Sequence, residues 1–287
     1  MEKSAISIRT CTRALLAGLC VSALIANAAT VSVDCDAGNT MTGAMSSMKP
    51  GDTMLVSGTC KEQVSIPPEM VRITLDGQKK TTIQHPGGQA PSPHALYNRG
   101  KEVTIKGFTV TGGQDGIHLS GPASAIIDGN TIVKNSGRGI HIDKGSVARI
   151  LNTTVQESGS IGIDITGASY AYIGVFIPRV PALGPNTIRN NGGPGINIER
   201  TAGAWIVGNT INANGGDAIT VSYNSGVNMN SEPRKDGPNQ TTSGQSNAGA
   251  AIKCMIGGYV DGPPGTLAGT KGAKDFDKTC VDRVAAH

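Results

Sequence analysis

Gly116-Ile117-His118-Leu119, Gly139-Ile140-His141-Ile142, Gly162-Ile163-Asp164-Ile165, Gly195-Ile196-Asn197-Ile198 and Ala218-Ile219-Thr220-Val221 are five versions of one phrase. Its first residue recurs after 23, 23, 33 and 23 positions. A second phrase keeps step: Thr131-Ile132, Thr154-Val155, Thr187-Ile188 and Thr210-Ile211, with each apolar member 8 positions before the isoleucine of the next refrain. A third set, Ile127, Ile150 and Ile206, sits 5 positions before the second. A fixed period above about 20 residues is the mark of a solenoid. The phrases are short, β-branched and alternate with period 2, which excludes helices, and Gly and Asn punctuate them as turns. Each repeat therefore predicts one coil of three short strands, each strand stacked in parallel on its copy in the next coil. The isoleucines and valines point into a central stack, and the residue between two of them points outward.

The stretch Asp128-Gly129-Asn130-Thr131-Ile132 through Gly139-Ile140-His141-Ile142, and Gly208-Asn209-Thr210-Ile211 with its sequel, resemble the repeat of the pectin-lyase-like superfamily. That superfamily includes NosD-like carbohydrate-binding and sugar-hydrolase modules. The resemblance covers roughly residues 50 to 260. It implies an all-β chain, a single-stranded right-handed parallel β-helix, with polysaccharide as partner. The activity signatures of the superfamily are not carried over. Arg179-Val180-Pro181 begins the Arg-x-Pro-x-x-Arg of pectate lyases, but Gly184 stands in its last place. The aspartate pairs and Gly-His-Gly of polygalacturonases and the Asp-Pro-His-Asp of alginate epimerases are absent.

The totals agree with a solenoid. The chain has 287 residues, of which 40 are Gly, with 3% aromatic and 16% charged residues. A disordered Gly-rich chain would not repeat isoleucine and valine in register. The formal net charge is +4, and residues 1–28 carry Lys3, Arg9 and Arg13 against Glu2, which leaves the rest near neutral. Such a balance gives no reason to expect nucleic acid as a partner.

In chain order, residues 1–28 read as a secretory signal peptide, with an apolar stretch Ala14–Ile25 and the small-x-small site Ala26-Asn27-Ala28. The apolar stretch is too short for a membrane span, so a secreted or periplasmic protein is expected. Residues 29–50 form an N-terminal cap, in which Met41, Ala44, Met45 and Met48 have the spacing of a short amphipathic helix. The β-helix occupies 51–260, and 261–287 form a C-terminal cap or tail. Beyond the leader four cysteines remain. Their even number in an exported chain favours disulfides, and of three possible pairings Cys35–Cys60 with Cys254–Cys280 is the economical one, one pair near each end. Two coils are lengthened, at 174–185 and 224–247, as excursions that often wall a binding surface. His85 and His94 lie in a Pro-rich loop without partner spacing and are expected to be solvated.

Outward residues of the refrain form a ladder at about 4.8 Å spacing: His118, His141, Asp164, Asn197, Thr220. Two residues on runs a second ladder, Ser120, Asp143, Thr166, Glu199, Ser222. Arg138 and Asp217 lie two before their isoleucines, and Lys144 and Arg200 lie just beyond the second ladder. A histidine beside a carboxylate suits general acid–base work. His118, His141, Asp143 and Asp164 are therefore the candidate catalytic residues. Arg138, Lys144, Asn197, Glu199 and Arg200 are candidates to bind substrate, the cations by pairing with a uronate carboxylate. No cofactor is required; Ca²⁺ held by Asp143 and Glu199 is an alternative source of positive charge. Asn130, Asn186 and Asn209, and likewise Asn135, Asn191 and Asn214, occupy equivalent turn positions and read as structural. Arg149, Tyr172 and Trp205 share an outward position on another strand. The expected function is that of an exported protein acting on polysaccharide, a lyase or epimerase of acidic glycan. The alternative is a non-catalytic glycan-binding or cell-surface structural protein.

Overall fold

A computed structural model describes residues 28–88, 90, 92–176, 182–230 and 242–284. The expected leader up to residue 27, the Arg179-Val180-Pro181 stretch and residues 231–241 of the second excursion lie outside the described residues. The chain winds as a parallel β-helix. A nine-stranded parallel sheet holds the refrain: Val64–Ile66, Leu96–Asn98, Ile117–Leu119, Ile140–Ile142, Ile163–Ile165, Ile196–Ile198, Ile219–Val221, Ile252–Cys254 and Lys274–Phe276. An 18-stranded sheet carries the other two strands of each coil. Pairing is in register wherever the refrain repeats: Ile140 faces Ile117 and Ile163, and Ile196 faces Ile163 and Ile219. The alternation of the sequence fixes this, because a one-residue slip would turn every core isoleucine outward.

Ile117, Ile140, Ile163, Ile196, Ile219 and Ile252 have no exposed surface, nor do Ile127, Ile150, Ile173 and Ile206 on the next strand. Each buried side chain of this size contributes about 1.5–3 kcal/mol. The glycine that opens the refrain is a packing requirement. A Cβ on Gly162 would stand 2.5 Å from the Gly195 carbonyl oxygen, 2.7 Å from Ile188 Cγ2 and 2.9 Å from Asn191 Nδ2.

The turn asparagines form two buried columns, as their shared positions imply. In one, Asn191 Oδ1 accepts from the Ser158 N–H at 3.1 Å, while its Nδ2 donates to Val155 O at 3.3 Å and to Asn214 Oδ1 at 2.9 Å. Asn214 repeats the pattern on Asn247. Each column closes backbone groups that the short strands leave open.

The methionine segment is helical only at Met41–Met45, shorter than the 40–48 expected; Met41 and Met45 are buried. The Glu62 carboxylate accepts from the N–H groups of Met41 at 2.7 Å and Thr42 at 3.1 Å. The tail continues the coil: Thr266–Gly269, Lys274–Phe276 and Val281–Arg283 extend the sheets in parallel. The cysteines pair as Cys35–Cys60 and Cys254–Cys280, with Cα separations of 5.0 and 6.0 Å. The first excursion folds back as an antiparallel pair, Val175–Phe176 with Ala182–Leu183. Among the described residues no helix is long and apolar enough to cross a membrane.

Candidate functional site

On the outer face of the refrain sheet the ladder runs Ser65, Tyr97, His118, His141, Asp164, Asn197, Thr220, Lys253. The order is the expected one, but the exposure is not. His118 and His141 are each 7% exposed, and Asp164, Asn197 and Thr220 are buried as well. Strand spacing explains this. Side chains about 4.8 Å apart cover one another's faces: the His118 and His141 rings stack at 4.3 Å with an 18° tilt, and Tyr97 covers His118 from the other side at 5.2 Å. Pointing out of the core is therefore not the same as facing water.

A third column completes the site. His94, Asp115 and Arg138 each stand two residues before the first residue of a refrain strand, on three consecutive coils. The loop histidine expected to be solvated is thus part of the cluster: His94 Nδ1 lies 3.1 Å from Asp115 Oδ2, and His94 Nε2 lies 2.9 Å from His118 Nδ1. His85 is also held, with Nε2 2.9 Å from Ser92 O, but takes no part in the cluster. Asp115 is 1% exposed and also meets His141 Nδ1 at 3.3 Å and Arg138 Nη1 at 3.4 Å. Arg138 lies across the ladder, its Nε 2.9 Å from Asp164 Oδ2, and keeps 34% of its side chain exposed. Its Nη1 stands 3.3 Å from His141 Nδ1. His118 Nε2 stands 3.2 Å from Asp143 Oδ1.

Charges settle around these contacts. Burial alone would push the Asp115 carboxyl up; the His141 and His94 contacts and the Arg138 charge outweigh it and hold the group far below the usual carboxylate range. His118 is brought down to about 4, first by burial and then by His141 and His94, against the opposing pull of Asp143 and Asp115. It is neutral at pH 7.

The other expected site residues are placed less centrally. Asn197 donates to Asp164 Oδ1 at 2.8 Å, which makes it a support for that carboxylate. Glu199 pairs with its neighbour Arg200 at 3.3 Å, and Arg200 and Lys144 are exposed at the rim. Asp143 and Glu199, the pair considered for Ca²⁺, are separated by the coil of Thr166 and face different partners. The groups of donors that converge among the described residues contain histidine or cysteine in every case, and none is all-carboxylate as Ca²⁺ prefers. Sequence reasoning missed Asp115, His94 and Tyr97. The signal was there: Leu96-Tyr97-Asn98 is a refrain strand without the opening glycine, 21 residues before Ile117.

On the 18-stranded sheet Arg149, Tyr172 and Trp205 do share one outward row. The Arg149 guanidinium lies 5.4 Å from the Tyr172 ring, and Trp205 stands 6.4 Å beyond it.

A family model described as a right-handed beta helix region matches residues 94–232. No curated protein matches the sequence. Among solved structures the chain is similar to the pectate lyase Pel9A, at 12% identity and a TM-score of 0.55, covering 88% of this chain and 76% of that one. It is also similar to an alginate lyase from Paenibacillus sp. str. FPU-7, at 16% identity and a TM-score of 0.54, covering 88% and 99%. At such identities the likeness speaks for the fold. The chain is a right-handed parallel β-helix.

Proposed function

We propose that the protein acts on an acidic polysaccharide laid along the refrain face, as a lyase or epimerase working at the carbon beside a uronate carboxylate. One observation carries this reading. Three histidines and three aspartates from consecutive coils form one contact network with Arg138, whose side chain is the most exposed of the group. In this reading Arg138 faces the uronate carboxylate, and charge developing at the adjacent carbon is stabilised there. The His118–His141–Asp143 group beneath it exchanges the proton. Loss of that proton with expulsion of the neighbouring glycosidic oxygen is elimination; its return from the other face is epimerisation. Lys144 and Arg200 at the rim extend the positive margin along the glycan. Polysaccharide-cleaving proteins of the same fold support the substrate class, and the two cysteine pairs support export to an oxidising compartment.

A second reading is favoured by the burial of both imidazoles and by the Arg149–Tyr172–Trp205 row: a glycan-binding protein without turnover. One screen separates the two. The purified protein is incubated with alginate and with polygalacturonate, reading unsaturated product, reducing ends, epimer content by NMR and retention on immobilised polymer. Turnover that falls by about 10²-fold or more in Arg138→Ala, with an unchanged melting temperature, supports the enzyme. Arg138→Lys serves if the alanine variant does not fold. Retention without turnover, lost in Trp205→Ala, supports the binder. Neither retention nor turnover on any uronate polymer rejects both.

A further inference from the structure

We propose that His118 Nε2, His141 Nε2 and Asp143 Oδ1 form a binding site for one divalent transition-metal ion of the Zn²⁺ class. A ligand atom from each of the three residues lies within 4.8 Å of the other two. His118 Nε2 and Asp143 Oδ1 are 3.2 Å apart. Two ligands about 2.0–2.1 Å from a tetrahedral Zn²⁺ stand roughly 3.3 Å from each other, so this pair already has the spacing of neighbouring ligands.

Hydrogen bonding gives an independent reason. His118 Nε2 and Asp143 Oδ1 are buried and approach to 3.2 Å without forming a well-directed hydrogen bond. The protons follow from Asp115. An ionised carboxylate draws N–H groups towards itself, so His94, whose Nδ1 faces Asp115, carries its hydrogen there. His94 Nε2 is then an acceptor and takes the hydrogen of His118 Nδ1, 2.9 Å away. In that tautomer His118 Nε2 turns its lone pair towards the Asp143 carboxylate, the state in which it can accept a metal. A cation at that point turns a repulsion into two ligand bonds. On His141, Nδ1 faces both Asp115 and Arg138. A metal on Nε2 places the hydrogen on Nδ1, towards Asp115. Asp115 thereby orients one ligand histidine directly and the other through His94, the carboxylate–histidine–metal arrangement of known metal sites.

Charge points the same way. Asp115 and Asp164 both meet the Arg138 guanidinium, while Asp143 faces His118 instead. Three carboxylates and one guanidinium thus lie together in a largely buried place, an excess of acidic groups that one divalent ion would offset. Two imidazoles and one carboxylate suit Zn²⁺, Cu²⁺ or Ni²⁺ rather than Ca²⁺ or Mg²⁺. The other histidine trio, His94, Asp115 and His118, is consumed by its own contacts. Three protein ligands leave one position open for water or an anion. The inference rests on the same cluster as the glycan reading and alters one part of it: with the ion bound, water in the open position, not the two imidazoles, is the group able to exchange the proton; its test needs no glycan, so the two fail separately.

The experiment uses the untagged protein, stripped with chelator and dialysed, and titrated calorimetrically with Zn²⁺ and Ca²⁺. A parallel titration with Co²⁺ reads its visible absorption. One Zn²⁺ per chain is expected, bound at least about 100-fold more tightly than Ca²⁺, with a tetrahedral Co²⁺ spectrum. His118→Gln and Asp143→Asn each abolish the spectrum and weaken Zn²⁺ by at least about 100-fold. Asp115→Asn weakens it by about 10–100-fold while the spectrum persists, and His85→Ala changes nothing. Asp143, at the edge of the cluster, keeps the test open should His118→Gln fail to fold. Absence of Zn²⁺ uptake, or uptake unaltered by Asp143→Asn, overturns the site.

Discussion

Replacing Asn191 by alanine tests whether the buried asparagine columns hold the coils together. Asn191 is buried and makes three side-chain hydrogen bonds, to the Ser158 N–H, to Val155 O and to Asn214 Oδ1. Alanine leaves the Ser158 N–H unpaired and removes the donor from Val155 O. Asn214 Oδ1 keeps the Asn191 N–H at 3.2 Å and is the least affected. An abandoned buried partner costs about 1–3 kcal/mol, so two cost about 4 kcal/mol in the middle of the range. For a chain of this size that corresponds to a fall of roughly 8–16 °C in melting temperature. Asn191→Asp is worse than alanine. It keeps the acceptor for Ser158 but faces Val155 O and Asn214 Oδ1 with oxygen, and it buries a charge. The comparison variant is Arg189→Ala, which removes an exposed contact to Gln156 and changes stability by less than about 0.5 kcal/mol. Urea unfolding followed by circular dichroism reads all three. A loss under about 1 kcal/mol for Asn191→Ala, or an aspartate milder than the alanine, refutes the column as a stabilising element.

The same column is incomplete at Ser158, whose hydroxyl is buried without a partner between the coils of Asn135 and Asn191. Gly139 opposite it already lacks a Cβ, as Gly162 does opposite Asn191. Ser158→Asn should therefore raise stability by about 0.5–1.5 kcal/mol in urea unfolding; a loss would mean the coil lacks room. Ile163→Asp should yield no folded protein, because a carboxylate in the central stack costs more than one coil contributes; a soluble variant with native circular dichroism refutes the register. At the C-terminal end the Thr279 hydroxyl, then the N–H groups of Ile256 and Thr279, hold the Asp277 carboxyl below its ordinary value. A depressed folded value contributes stability above the unfolded pKa of about 3.9 and loses it as pH falls through the folded one. Hydrogen-exchange protection in the last coil should decline with acid before that of the refrain core. The decline should be absent in Asp277→Asn, and an equal decline in both would refute the role.

What the sequence made legible was the coil, because identical offsets between Ile117, Ile127 and Ile132 and their copies leave one register in which every apolar residue is buried. What it hid was one coil earlier. Leu96-Tyr97-Asn98 pairs with Ile117-His118-Leu119 as a refrain strand, yet it opens with Ala95 instead of glycine and lies 21 residues away instead of 23. With that coil unassigned, His94 had no register and Asp115 no neighbours, so two of the cluster's seven members, including the buried Asp115 at its centre, were invisible. The ladder itself was read in the right order and with the wrong surroundings. Alternation tells which side of a strand a residue leaves from, but not what its neighbours one coil away do to it. His118 between Tyr97 and His141 loses its water to two rings, whereas Lys253, further along the same ladder, stays partly exposed beside Asp275.

That burial changes how the site's chemistry must be tested. In a wet ladder His141 would be an independent base, removable without structural cost. In the observed cluster it touches Asp115, Arg138, the His118 ring and, at 3.8 Å, Asp164, so its removal also disturbs four partners. Asp164 holds Arg138 Nε and the Asn197 amide, and its change to asparagine frees the arginine as well. Lost activity in either variant would therefore not identify a base. Arg138 differs, because a third of its side chain is exposed and its partners have further contacts of their own. Asp115 keeps His94 and His141, and Asp164 keeps Asn197. Its removal still leaves two buried carboxylates without their guanidinium, so the charge-keeping Arg138→Lys is the variant that bears on substrate with least disturbance of what lies beneath.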